Sequence, residues 1–389
     1  NASLLYLSSI GEIKLIRKLI AEGVNLNYKD SEGNTAIHKA AEYNDAEAIK
    51  ILLKNGADIN AVNHDGNTAL HVAVLGFAVE CVNLLLSKKI KLNLFNVQDA
   101  SELLCALKLK TDEELNPVKT NLKNEIIGLL IDQENIDLRC VNKRSKAIFN
   151  GSNYLLFAIR QGNLFAVKKI LQNEPALLNI KDKAGYYPIH CAVKHDKIEI
   201  IKHLMSIDQG LLNMRGRNEM TPLNYAICRC SLHVAQYLVE CGANAHLADG
   251  DGNTPLHNAI YEYENCCKRS SVSDQSLKSN ETSSSTESDS SSDNESNSSS
   301  ESENDCKHEL VEIFKEKLFD IKPKCNYLAV SLYLIENANA SIYITNYDEK
   351  SPLDVIEDEK NVAKKLLLAY IQKQAFDQIQ KAMKTKISN

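Results

Sequence analysis

One short pattern returns along this chain at a fixed interval, and it restricts the possible folds more than any other property. Gly33-Asn-Thr-Ala-Ile-His-Lys-Ala40 recurs as Gly66-Asn-Thr-Ala-Leu-His-Val-Ala73 and as Gly252-Asn-Thr-Pro-Leu-His-Asn-Ala259, the first two copies lying 33 residues apart. Weaker copies begin at Ala2, Ser101, Asn153 (Asn-Tyr-Leu-Leu-Phe-Ala158), Tyr187 (Tyr-Pro-Ile-His-Cys-Ala192), Thr221 (Thr-Pro-Leu-Asn-Tyr-Ala226) and Ser351 (Ser-Pro-Leu-Asp-Val-Ile356). That makes nine copies. A unit this short cannot bury its own apolar face, so copies must stack into a shared core, and chain length counts repeats instead of separate domains.

Within a copy, the leading Thr suits a helix cap, the Pro suits the first helical turn, and the Leu and Ala are placed to face a neighbouring copy. A second helical pattern follows, as in Ala48-Ile49-Ile51-Leu52-Leu53 and Val79-Val82-Leu84-Leu85-Leu86, and Asn55-Gly-Ala-Asp58 and Cys241-Gly-Ala-Asn244 end it with glycine. These residues resemble the ankyrin repeat, whose signature is Thr-Pro-Leu-His-x-Ala at a 33-residue period. The resemblance implies an all-α solenoid of about nine helix-turn-helix repeats, each with an extended finger, presenting a concave protein-binding surface.

Two insertions interrupt the period, so the chain divides as follows. Residues 1–107 hold copies one to three and the first part of the fourth, and 108–123 form a loop insertion. Residues 124–264 continue to the first part of the eighth copy. Residues 265–325 form an acidic, Ser-rich insertion, 326–375 end the eighth copy and supply the ninth, and 376–389 are a Lys-containing tail. Between Ser270 and Asp305 lie 17 serines and 9 acidic residues with one lysine. Such a stretch buries too little apolar surface to offset the entropy of ordering, so it is expected to be disordered. It also carries a formal charge of -8; the remaining chain, at +2, is nearly neutral.

No apolar run approaches the roughly 18 residues of a membrane-spanning helix, and Ala2 to Ile10 lacks the form of a signal peptide. The 11 cysteines are scattered among apolar positions without a framework, which suits reduced thiols and a cytoplasmic protein. The first residue is Asn1, which points to a fragment of a longer chain.

Neither a phosphate loop, a Cys-x-x-Cys pair, His-Glu-x-x-His nor Gly-x-Ser-x-Gly occurs, so no catalytic site, metal site or cofactor is expected. His38, His71, His190 and His257 occupy the motif's own histidine, where a backbone hydrogen bond near the turn is the expected role. Cys228, Cys230, His233 and Cys241 lack zinc-knuckle spacing and fall on two different helices. A near-neutral folded part with an acidic loop disfavours nucleic acid.

What remains is recognition of other proteins. The finger residues Tyr186, Tyr187, Arg215, Arg217 and Tyr347, with Tyr28 and His64, are the candidate partner contacts, because Tyr and Arg predominate at binding hot spots. In the acidic tract, Ser284, Thr286, Ser290, Ser292, Ser298, Ser300 and Ser302 each have an acidic residue three positions later, a pattern suited to acidophilic kinases.

At the C-terminal end, Asp249-Gly-Asp-Gly-Asn-Thr-Pro-Leu-His-Asn-Ala259, the long insertion, Ala329-Val-Ser-Leu-Tyr-Leu-Ile335 and Ile344-Thr-Asn-Tyr-Asp-Glu-Lys-Ser-Pro-Leu-Asp354 are similar to the ankyrin region of mind bomb-type E3 ubiquitin ligases. The resemblance implies the non-catalytic central array of such a ligase, whose family ubiquitinates Notch ligands to promote their endocytosis. The family's RING fingers need clustered Cys/His ligands, which this sequence does not contain. The alternatives are a stand-alone ankyrin adaptor or effector regulated through its acidic loop, and a cryptic enzyme.

Overall fold

Each motif copy can start a helix because its leading side chain offers an acceptor to N–H groups that the first turn leaves unpaired. In the computed structural model, which describes residues 2–111, 116–139, 153–276, 326–356, 361 and 363–372, Thr68 Oγ1 accepts the N–H of His71 (3.4 Å) and Ser101 Oγ that of Leu104 (3.2 Å). Asn153 Oδ1 takes the N–H of Leu156 (2.9 Å) and Thr221 Oγ1 that of Asn224 (3.2 Å). The first helices of successive repeats are α1 (Ala2–Ile10), α3 (Ala36–Glu42), α5 (Ala69–Leu75), α7 (Glu102–Lys108), α9 (Tyr154–Gln161), α11 (Pro188–Lys194), α13 (Pro222–Cys228) and α15 (Pro255–Ser276). The second helices are α2 (Ile13–Ala21), α4 (Ala46–Lys54), α6 (Val79–Ser87), α8 (Pro117–Ile131), α10 (Leu164–Asn173), α12 (Ile198–Ile207), α14 (Leu232–Glu240) and α16 (Asn326–Asn337). Among the described residues there is no strand, only an isolated bridge between Val62 and Thr68.

The chain divides into two units, Asn1–His203 and Leu204–Asn389. In the first unit, α1, α3, α5, α7, α9 and α11 stack in that order as one layer, and α2, α4, α6, α8 and α10 stack as a second. The small motif residues permit this close stacking: Ala40, Ala73, Ala106 and Ala158 are fully buried. Ile49, Leu52, Val82, Leu85, Ile126 and Ile170, also fully buried, fill the space between the layers. In the second unit α13 packs on α14 and α15, and α16 packs on both α14 and α15. Dispersion and hydrophobic transfer therefore act between neighbouring repeats, which is why one repeat alone lacks a core.

Polar side chains repeat the same stitching. Asn27 Oδ1 accepts the N–H of Asp58 (2.9 Å), Asn60 Oδ1 that of Lys91 (3.0 Å), Asn93 Oδ1 that of Asp137 (3.0 Å) and Asn213 Oδ1 that of Asn244 (3.0 Å). Each bond joins a loop after one second helix to the equivalent loop of the next repeat. The tight turn between first and second helices uses a left-handed residue: Asn44, Phe77, Gly162, Asp196 and Cys230 have φ of 57°, 56°, 76°, 54° and 57°.

The structure corrects three boundaries. The insertion at residues 108–123 is not all loop: α8 begins at Pro117, capped by Asn116 Oδ1 on the N–H of Lys119 (3.1 Å), because Asn-Pro is a helix start as well as a turn signal. The Ser-rich insertion is not irregular from residue 265, since α15 runs on to Ser276 with no Gly or Pro to stop it. The copy at Ser351 forms turns instead of a helix; Asp354 takes the Ser351 N–H (3.0 Å), and the bonds Asp354 N–H to Ser351 O and Ile356 N–H to Leu353 O span three residues. Residues 363–372 then form a helix. The remaining acidic tract, including Ser284, Thr286, Ser290, Ser292, Ser298, Ser300 and Ser302, and the tail from residue 376 lie outside the described residues.

Candidate protein-binding surface

Most fingers are built on one aspartate or asparagine, the one carrying Arg215 and Arg217 having Gly216 there instead. Asp30 Oδ1 accepts the N–H groups of Glu32 (2.9 Å) and Asn34 (2.8 Å), and Asn63 Oδ1 those of Asp65 (3.1 Å) and Asn67 (2.9 Å). Asp249 does the same for Asp251 and Asn253, and Asn346 for Asp348 and Lys350. This side-chain turn forces the two residues after it outward, and successive fingers then touch. The N–H of His64 bonds to Glu32 O (3.0 Å), that of Val97 to Asp65 O (2.8 Å), and in the second unit that of Gly250 to Asn218 O (2.7 Å) and that of Tyr347 to Asp251 O (3.4 Å). The motif glycine makes room for this approach: a Cβ on Gly33 would lie 2.6 Å from His64 Cδ2, and one on Gly252 2.7 Å from Tyr347 N.

The motif histidines belong to the frame beneath the fingers. The Nε2 of His38 lies 3.0 Å from Asn67 O, that of His71 3.3 Å from Ala100 O and that of His257 3.0 Å from Lys350 O. A ring nitrogen facing a carbonyl must carry the proton, so Nδ1 is the acceptor and takes the N–H of Thr35 (3.2 Å), Thr68 (3.3 Å) and Thr254 (3.2 Å). Burial holds all three imidazoles below their usual pKa, His71 at about 4. Burial likewise pushes the thiols of Cys81 and Cys228 up to about 12 and those of Cys105 and Cys191 up to about 11, so these cysteines are neutral and poorly nucleophilic. Among the described residues no group of three or more His, Cys, Asp or Glu is placed to hold a metal, and no helix is long and apolar enough to cross a membrane.

The candidate contact residues fall in different surroundings. In the first unit His64 is exposed at a finger tip, and Tyr28 is partly exposed in the loop before the first finger. Tyr186 and Tyr187 sit at the base of their finger and are half-buried, their rings 6.0 and 6.2 Å from that of His190. In the second unit Arg215 and Arg217 are exposed on one finger; Arg215 Nη1 donates to Ala248 O (3.0 Å) and lies 3.7 Å from Glu219. Tyr347 is 78% exposed, two fingers further on.

Sequence reading missed a set of exposed, mostly apolar side chains in the first unit. Ile10 and Tyr43 occupy the same position in consecutive repeats, at the ends of α1 and α3, and Leu75 ends α5. Val62 and Phe95 are likewise equivalent, as are His64 and Val97. All seven are exposed, Tyr43 at 60% and Val97 at 70%. An acidic rim of Glu32, Glu42 and Asp65 accompanies them, with Lys39 Nζ 3.3 Å from Glu42 and 3.9 Å from Glu32. The available signal was an apolar residue at an outward position of the period, which a reading for core positions passes over.

A family model described as ankyrin repeats, in three copies, matches residues 4–96, 118–213 and 206–269. The chain belongs to the ankyrin-repeat family. Ankyrin repeats bind other proteins, so the chain is a protein-interaction array, and its all-helical fold is the ankyrin fold. It is similar to an ankyrin repeat protein of Fowlpox virus (strain NVSL), 30% identical over 110 residues, which is 28% of this chain and 18% of that protein. It is also similar to the nuclear factor NF-kappa-B p105 subunit of Gallus gallus, 30% identical over 101 residues, 25% of this chain and 10% of that subunit. The ankyrin segment thus spans less than a fifth of either relative. Among solved structures, the ankyrin repeat domain of Bcl-3 aligns with 65% of this chain and 91% of that domain, at 19% identity and a TM-score of 0.42.

Proposed function

We propose that this ankyrin array is a scaffold that captures a partner protein on the band formed by Ile10, Tyr43, Val62, Leu75, Phe95 and Val97 around His64. The observation that carries this reading is the exposure of Tyr43, the equivalent of Ile10, and of Val97, the equivalent of His64, large apolar side chains that the fold leaves in water. Apolar patches rimmed by polar residues mark interaction sites, and their aromatic members contribute most of the affinity. The finger residues Tyr28, Tyr186, Tyr187, Arg215, Arg217 and Tyr347 are proposed as further contacts. The test is affinity capture followed by mass spectrometry with the full chain and with Tyr43→Ser/Val97→Ser. A partner retained by the first and lost by the second supports the reading; identical partner sets with unchanged melting overturn it.

The narrower setting is the central array of a mind bomb-like ubiquitin ligase in the cytoplasm. What supports it is the position of the insertion, between α15 and α16 of the penultimate repeat, followed by Ser351-Pro-Leu-Asp354. His257, before the insertion, bonds to Lys350, after it, and Asn346 Nδ2 bonds to Asn253 Oδ1 (2.9 Å), so this repeat meets the next one despite the intervening residues. Reading the transcript beyond the codon for Asn389 tests it, RING-type Cys/His clusters supporting the ligase and a stop codon favouring a stand-alone adaptor.

A further inference from the structure

Three outward positions that carry Val62, Leu75, Phe95 or Val97 in some of the early repeats are basic at the end of the first unit. Lys183 stands four residues before Tyr187, as His64 does before Thr68 and Val97 before Ser101. Lys181 stands six before it, as Val62 and Phe95 do in their repeats. Arg160 and Lys194 each lie seven residues after the helix cap, the position of Leu75, and they occupy the packed helices α9 and α11. Lys181, Lys183 and Lys194 are exposed, and among the described residues no carboxylate forms an ion pair with any of the three.

The finger itself departs from the repeat's structural rule at the same place. Tyr186 and Tyr187 stand where Asn34-Thr35, Asn67-Thr68 and Asn253-Thr254 stand in their copies, and Tyr187 makes no side-chain cap. Local rules are broken without structural gain mainly where function requires it. Here the exchange gives two half-buried rings, with Lys181 Nζ 4.9 Å from the Tyr187 ring centroid, which preorganises a cation over an aromatic face. The nearby acids are Asp182, whose Oδ1 holds the Tyr186 N–H (2.8 Å), Asp196 in the left-handed turn, and Glu199, which pairs with Lys202 (2.7 Å); the four cations outnumber them.

We infer that Arg160, Lys181, Lys183 and Lys194, with Tyr186 and Tyr187, form a docking site for an acidic segment of a partner protein. Charge complementarity selects this occupant, because four cations on the outward positions of two packed repeats repel basic ligands and attract acidic ones. The inference rests on the reading of the chain as a protein-binding array but not on the apolar band.

The test is fluorescence anisotropy of a labelled deca-glutamate peptide with the full chain at low and physiological salt. Lys181→Ser/Lys183→Ser/Lys194→Ser is expected to weaken binding by about tenfold, the loss that three exposed charge pairs supply. Lys54→Ser/Lys88→Ser/Lys91→Ser, with the same change in net charge, is expected to bind like the parent. The single variant Lys183→Glu should weaken binding too, and circular dichroism melts verify that each variant is folded. Equal losses in both triple variants, meaning non-specific attraction, overturn the site, as does an unchanged affinity in the first. Concentration-dependent dimerisation lost in the first variant, without peptide binding, assigns the surface to a second copy and also overturns it. The Tyr43→Ser/Val97→Ser capture experiment is independent of every one of these outcomes.

Discussion

The imidazole of His71 reaches from its own repeat to the carbonyl of Ala100 in the next, 3.3 Å away, while its other nitrogen holds the N–H of Thr68. One buried ring thus closes a helix start and ties two repeats. His71→Ala removes both bonds and leaves a buried carbonyl unpaired, so stability should fall by about 1–3 kcal/mol. A thermal melt unchanged by this substitution would contradict the structural role.

Acid should loosen the array through the same rings. The folded pKa of His71 is lowered to about 4 and those of His38 and His257 are lowered too, whereas an unfolded imidazole titrates near 6.5. The unfolded chain therefore binds more protons in this range. The histidine contribution is fully present above pH 6.5 and is lost as pH falls through about 4, roughly 3 kcal/mol for His71 alone. Urea titrations at pH 7 and pH 5 of the Glu102→Gln chain, which lacks the opposing carboxyl, measure the loss, and equal midpoints would refute it.

Glu102 should act with the opposite sign. Its carboxyl is fully buried in place of the motif proline; Oε1 accepts the N–H of Leu94 (3.4 Å) and Oε2 has no partner among the described residues. Burial raises its pKa to about 7. Between the unfolded value of 4.5 and 7 the folded chain holds the extra proton, so this group's stabilisation is greatest at low pH and declines as pH rises through 7. Glu102→Gln is accordingly expected to raise stability at pH 8 by up to about 3 kcal/mol and to change little below pH 4.5. A destabilised Gln variant at pH 8 would sink this account.

Gly33 and Gly23 separate backbone strain from finger contact. Both have a left-handed φ, 79° and 80°, but a Cβ at Gly23 meets nothing within 4 Å, whereas one at Gly33 meets His64. Gly23→Ala should cost about 1 kcal/mol from φ alone. Gly33→Ala should cost more and also displace the His64 finger, read as a lower melting temperature and a shifted His64 ring resonance. Equal costs would mean that the fingers are not in close contact.

Leu52 measures the interlayer core. It is fully buried in α4, and Leu52→Ala should lower stability by about 2–5 kcal/mol in a denaturant titration. A loss below 1 kcal/mol would mean that the site collapses freely.

The repeat made the helix pairs legible, because Thr35, Thr68, Ser101 and Asn153 act locally as caps and the alanines that permit stacking recur in register. The role of His38, His71 and His257 was legible for the same reason. Less so were the elements whose signals are ambiguous locally: Asn116-Pro117 reads equally as a turn and as the start of α8, and nothing after Tyr263 announces where α15 ends.

By itself, then, the sequence determined the class of fold, the number of repeats and the structural residues, since these follow from short-range patterns repeated at 33 residues. Tertiary structure alone decided which outward positions stay exposed. Tyr43, Leu75 and Val97 are far apart in the chain, and the stacking of α1, α3, α5 and α7 and the finger bonds from His64 to Glu32 and from Val97 to Asp65 set their places in the array. Stacking also placed Tyr186 and Tyr187 against His190 and left Tyr347 in water, a difference in burial that their shared residue type could not encode.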